Sequence, residues 1–187
     1  MVKLEGEPTD TAIVQVCIRT SSLTEEKIEV YEEMEEVLGR VKGKENLIIM
    51  GDRNAVVEGK EGRIVGNFGL GERNAKGERL VEFYNEKNMV LANTLLVQHR
   101  RRRYTWKIPG DIARYQMNYI LVWTRNKKQC KGYPGADINS DHNLEIMESR
   151  LRYKNIKKTK QEPRYVPIVS IGISGNFSYF STFRRMI

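Results

Sequence analysis

The chain has 187 residues, 40% of them hydrophobic, which suits one domain plus extensions and excludes wholesale disorder. Its net charge of +8 fits phosphate-rich or acidic partners, and equally fits an ordinary basic protein. Two well-separated cysteines, Cys17 and Cys130, and two histidines, His99 and His142, exclude a CxxC motif and a His-rich zinc site.

The expected setting is intracellular, nuclear or cytoplasmic, with both thiols reduced. Met1–Gly6 lacks the apolar run of a secretory signal, and residues 1–10 read as an N-terminal extension. Thr11–Ile18 reads as a strand, with Ile13, Val14, Val16 and Ile18 apolar. Ser22 and Glu25 stand at capping-box spacing. Ile28, Tyr31, Met34, Val37 or Leu38, and Val41 then recur at helical spacing, and Gly43 closes the helix. The glutamates between them form a solvated face. Asn46–Met50 is a short apolar run that fits a strand buried on both faces. Strand, helix, strand over this length implies a parallel crossover in an α/β domain.

Val57–Gly77 reads as a long loop, Arg79–Lys87 as a helix, and Met89–Leu91 as a buried strand. Arg100–Arg103 is a basic turn, and Tyr104-Thr105-Trp106 opens a strand. Met117–Trp123 and Leu144–Met147 are further strands, the latter the last of a domain spanning 11–150. Residues 151–187 read as a basic linker and an unrelated tail. The uncharged stretch Tyr165–Phe183 contains Pro167, two glycines and several serines and is too polar for a membrane helix.

Three patches can carry chemistry. Asp52 and Asn54 lie just past the carboxyl end of a buried strand, where α/β ligand sites cluster. A carboxylate there can ligate a metal or orient a water, and an amide can bond a phosphate oxygen; a plain turn uses the same residues. Asp141-His142 is a second such pair. Asp suits a hard cation and His can donate to a phosphate oxygen, but a surface loop also explains the pair. Arg100, Arg101, Arg102 and Arg103, with Tyr104 and Trp106, interleave charge with aromatics. That pattern suits nucleic-acid contacts or a solvated turn over core aromatics.

The order Gly51-Asp52-Arg53-Asn54, Tyr119-Ile120-Leu121, Ser140-Asp141-His142 resembles the endonuclease/exonuclease/phosphatase superfamily. The run Leu47–Asn143 looks most like its retrotransposon-type endonuclease branch, which includes proteins called craniofacial development protein 2-like. Four segments carry this closer likeness: Asn46–Asp52, Gly69–Asn74, Arg101–Trp106 and Tyr133–Asp137. The resemblance implies a partial four-layer αββα sandwich and Mg²⁺-dependent phosphodiester hydrolysis, with DNA as the partner and no membrane. It gives Asp52 the attacking water, Asn54 a phosphate oxygen, Asp141 the metal, and His142 the charge of the transition state.

The sequence departs from the family pattern in three places. The family pairs its catalytic His with an Asp where this chain has Asn118, an amide that orients His142 without stabilising imidazolium. A family Tyr and Pro are replaced by Cys17 and Arg19. The family's early Asn and metal-binding Glu find no counterpart before Thr11. The expectation is therefore an N-terminally truncated domain with impaired or no catalysis, for which a chain that completes the sandwich is a candidate partner. The alternative is a noncatalytic remnant that binds nucleic acid or protein.

Overall fold

The structure is a computed structural model and describes residues 1–18, 24–108, 110, 112–123, 129–133, 140–150, 166–174 and 177–185. Strands β1 (Val2–Leu4) and β2 (Thr11–Gln15) pair antiparallel, so part of the segment read as an extension joins the sheet. Helix α1 (Thr24–Gly39) then leads to β3 (Asn46–Asp52). Strand β3 pairs parallel with β2, from Thr11↔Asn46 to Gln15↔Met50. The crossover expected from strand, helix, strand is thus present. The capping pair Ser22 and Glu25 falls partly outside the described residues.

Helix α1 ends at Gly39 rather than Gly43, because Arg40 and Val41 turn tightly back onto the carbonyls of Val37 and Leu38. Val41 still packs on the core from beyond the helix. Helix α2 (Ala75–Glu86) begins four residues before the expected Arg79. Asn74 caps it, its Oδ1 accepting from Gly77 N at 2.8 Å. Gly77 reads as a loop residue but sits in the first turn because a Cβ there would meet Val56 O at 2.0 Å.

Strands β4 (Met89–Leu91), β5 (Trp106–Lys107), β6 (Arg114–Tyr115) and β7 (Asn118–Trp123) follow. Strands β8 (Gln129–Tyr133) and β9 (Leu144–Arg150) precede the hairpin β10 (Val166–Ser174) and β11 (Phe177–Arg185). Strand β8 and the hairpin had no counterpart in the sequence reading. Most of the Tyr133–Asp137 segment, and residues 151–160 of the linker, lie outside the described residues.

The first sheet has the order β1-β2-β3-β7-β4, the second β11-β10-β9-β8, and β5-β6 form a separate ribbon. Two-residue alternation decides the layers. Ala12, Val14, Leu47, Ile49, Tyr119 and Leu121 face one way and pack with Tyr31 and Met34 of α1 and Leu80 and Tyr84 of α2. Ile13, Ile48, Met50, Ile120 and Val122 face the other way and meet Met147 of β9 in the second sheet. Helices, first sheet and second sheet therefore stack as three layers, a mixed α/β architecture compatible with a partial αββα sandwich. Among the described residues, no helix is long and apolar enough to cross a membrane.

Candidate active site

The site forms where β3 and β7 meet the start of β9. After β2, the chain keeps the parallel ladder going: Val16 N donates to Met50 O and Ile18 N to Asp52 O, both at 2.9 Å. Gly51 permits this approach. Its φ is +143°, and a Cβ there would lie 1.8 Å from Val16 O. The next residue, Asp52, is 9% exposed and closes the turn by accepting from Asn54 N at 2.9 Å. Asn54 adopts a left-handed φ of 46°, which Asn tolerates. Its side-chain amide donates to Ile18 O at 2.8 Å and approaches Asp52 Oδ2 at 3.5 Å. Asn54 thus holds the loop in shape beside Asp52.

Antiparallel register sets Asp52 opposite Asn118. Asn118 is fully buried. The Thr105 hydroxyl accepts from the backbone N–H of Met117 at 2.8 Å and of Asn118 at 3.0 Å. Asn93 Nδ2 donates to Asn118 O at 2.9 Å and to Glu145 Oε1 at 2.6 Å, tying the strand to β9 from behind. Asn118 Oδ1 lies 3.1 Å from His142 Nδ1. An amide oxygen accepts, so Nδ1 carries the proton and Nε2 faces the open side. The other half of that amide, Nδ2, is buried with no hydrogen-bond partner among the described residues.

His142 and Asp141 reach the site through their own loop. Asn143 N donates to Thr105 O at 2.8 Å, Lys107 N to Asp141 O at 3.2 Å, and His142 N to Ser140 Oγ at 3.1 Å. The Trp106 indole donates to Asp141 Oδ2 at 2.8 Å. His142 Nε2 is then 3.9 Å from Asp52 Oδ2 and 4.0 Å from Asp141 Oδ1. Burial raises the Asp52 carboxyl above its usual range, against the Asn54 N–H and the charges of His142, Lys76 and Arg53. The His142 Nε2 thus stands between a largely buried carboxylate and an exposed one, with room for a bridging oxygen on either side.

The basic turn behaves differently along its length. Arg100–Arg102 form one short 3-10 turn, with His99 Nδ1 accepting from Arg101 N. His99, Arg100, Arg101 and Tyr104 line a groove of about 690 Å³ together with Arg114 and Tyr115 of the β5–β6 ribbon. Arg102 and Arg103 are not part of that lining. Arg103 donates to Gln98 O at 2.9 Å and lies over the Phe68 ring. Tyr104 is 6% exposed and has the Arg114 guanidinium 4.7 Å from its ring centroid.

A stretch of 163 residues is 38% identical to craniofacial development protein 2 of Bos taurus, covering 84% of this chain and 28% of the relative. The same protein of Tragulus javanicus is 37% identical over the same coverage. The chain is homologous to craniofacial development protein 2. It spans about 28% of the length of these curated relatives. No protein-family model and no solved structure matches it.

Of the expected site residues, Asp52, Asn54, Asn118, Asp141 and His142 converge although they are spread over three chain segments. Trp106 joins them through its N–H rather than standing free as a stacking platform. Sequence reasoning missed Thr105, Asn93 and Asn143, whose roles depend on which backbone groups lie across from them. Thr105 carried one signal, a β-branched hydroxyl residue between two aromatics in a strand-like run.

Proposed function

We propose that this chain carries a phosphodiester-hydrolysing site of the endonuclease/exonuclease/phosphatase type, in the retrotransposon-type endonuclease branch, with depressed turnover on DNA. One observation carries the proposal: His142 Nε2 stands 3.9 Å from Asp52 and 4.0 Å from Asp141, while its Nδ1 is held by Asn118. A phosphate oxygen placed in that gap meets an imidazole donor beside a carboxylate able to orient water.

Asp52 Oδ2, the oxygen not held by Asn54 N, accepts a proton from the attacking water. His142, protonated on both nitrogens as imidazolium, donates from Nε2 to the phosphate oxygens as charge builds on them; the water oxygen bonds to phosphorus, the P–O bond to the leaving oxygen breaks, and that oxygen takes a proton from solvent. Asn118 fixes the ring through Nδ1–H but adds no negative charge to stabilise imidazolium. The analogous Asp-to-Asn change in serine protease triads costs about 10⁴ in turnover. Trp106 holds Asp141 in place across the site.

The donor set suits a hard cation that keeps most of its water. Among the described residues no three His, Cys, Asp or Glu side chains form a metal-holding group, and Mg²⁺ commonly takes only one or two carboxylates. Asp141 is the residue that would hold Mg²⁺, which when bound polarises the phosphoryl group.

The test is nicking of supercoiled plasmid in millimolar Mg²⁺. The chain itself is expected to nick at or below detection. Asn118→Asp is expected to raise the rate by about tenfold or more, a small part of the triad effect. Adding His142→Ala should remove that gain. Asn118→Asp with no more nicking than the parent would refute the assignment.

A further inference from the structure

Beside the candidate active site lies the groove between the 3-10 turn at Arg100–Arg102 and the β5–β6 ribbon. Its volume, about 690 Å³, falls within the roughly 300–1,000 Å³ of sites that engulf a ligand of nucleotide size. Among the described residues no acidic side chain lines it; Arg100, Arg101, His99 and Arg114 do. The ribbon wall is physically joined to the reaction site. Tyr115 pairs with Trp106 in the ribbon, their ring centroids 6.2 Å apart, and Trp106 holds Asp141.

We infer that this groove is a subsite for an unpaired nucleotide, which makes single-stranded nucleic acid the preferred substrate class. The inference rests on the phosphodiesterase proposal for the adjoining site. Three features support it. The Arg114 guanidinium carbon lies 4.7 Å from the Tyr104 ring centroid, which places in the groove the pairing of guanidinium and aromatic ring that stacks on unpaired bases. Arg100 and Arg101 line the same groove and supply charge for a phosphate backbone. Ile112, 84% exposed, stands at the ribbon's edge as an apolar wall for the same base. A base paired inside a duplex cannot turn its ring face into such a groove, whereas a base in a single strand can.

The test is fluorescence anisotropy of the whole chain in EDTA, so that turnover plays no part. The probes are a labelled oligo-dT, an oligo-rU of equal length, and a DNA duplex. At least one single strand is expected to bind about tenfold more tightly than the duplex, the scale of one stacked base. Arg114→Lys keeps the charge and removes the plane. It is expected to weaken single-strand binding about five- to tenfold, with the salt slope unchanged because the count of cations is unchanged. Arg100→Ala with Arg101→Ala should weaken all three probes and flatten the slope. Duplex binding as tight as both single strands overturns the inference, and so does Arg114→Lys binding at parental strength. Neither failure touches the nicking result, which tests the active site alone.

Discussion

Arg53 is the residue whose replacement the fold is expected to welcome. Its side chain is fully buried. None of its three guanidinium nitrogens has a hydrogen-bond partner among the described residues. Its guanidinium carbon lies 5.4 Å from the Tyr84 ring centroid, and its charge also acts, without a hydrogen bond, on the Asp52 carboxyl. An unpaired buried ion costs several kcal/mol even after relaxation, and a desolvated cation–π contact returns about 2 kcal/mol. Exchanging buried ionic groups for apolar ones of similar volume stabilises by roughly 1–4 kcal/mol where it has been measured. Arg53→Met is therefore expected to add about 2 kcal/mol, or ~4–8 °C in Tm for a chain of this size. Arg53→Lys is the control, because it keeps the charge and loses the planar fit to the ring; it should gain nothing. The assay is urea unfolding followed by circular dichroism, reading the midpoint at constant slope. A lowered midpoint for Arg53→Met, as in an ordinary core truncation, would refute the reasoning.

Two further predictions follow from groups already described. Gly51→Ala should destabilise by about 3 kcal/mol in the same urea assay, through a forced clash and an unsuitable φ; a shift under about 1 kcal/mol would show that Val16 yields easily. Burial pushes the Tyr31 phenol from 10.0 up to about 12. The folded value lies above the unfolded one, so the stability tied to its proton is complete below pH 10 and is lost as pH rises toward 12. Linkage makes that loss about 3 kcal/mol. Tyr31→Phe should delay alkaline unfolding, followed by ultraviolet phenolate absorbance, and an unchanged unfolding pH would count against it. Tyr119 is raised by burial too and acts in the same direction.

The layers of the fold were legible because the central strands stand out in the sequence as continuous apolar runs. In Ala12-Ile13-Val14, Leu47–Met50 and Tyr119–Val122 every position is apolar, which means burial on both faces, and these strands form the centre of the first sheet. The edges were not legible. Gln129–Tyr133 carries Lys131 and Gly132 and alternates poorly, so its pairing with β9 is set by register across the sheet rather than by its own pattern. The start of α2 was hidden by Gly77, a residue that normally signals a loop and here fits because nothing larger would. Asn74, three residues earlier, was the readable signal, since an N-cap asparagine fixes a helix start through its own side chain.

The site divides along a similar line. Asp52, Asp141 and His142 could be found as paired polar residues beside apolar strands, and Asn118 as the position where the family resemblance expects an Asp. Trp106 and Tyr104 could not be placed, because interleaved charge and aromatics do not say which way a ring faces. In the fold Tyr104 lies inward under Arg114, and Trp106 spends its N–H on Asp141. The two least satisfied buried side chains around this site both belong to backbone neighbours of Asp52. Arg53 follows Asp52 in sequence, and Asn118 faces it across the ladder. Local chemistry that conflicts with a well-satisfied core tends to collect at functional sites. The conflicts here have separable consequences. Arg53 sits in the helix-facing core, where its cost is stability, while Asn118 sits on His142, where its cost is imidazolium. Relieving the first should move the unfolding midpoint and leave nicking near detection; relieving the second should move nicking. A site broken only by general instability would instead regain both together.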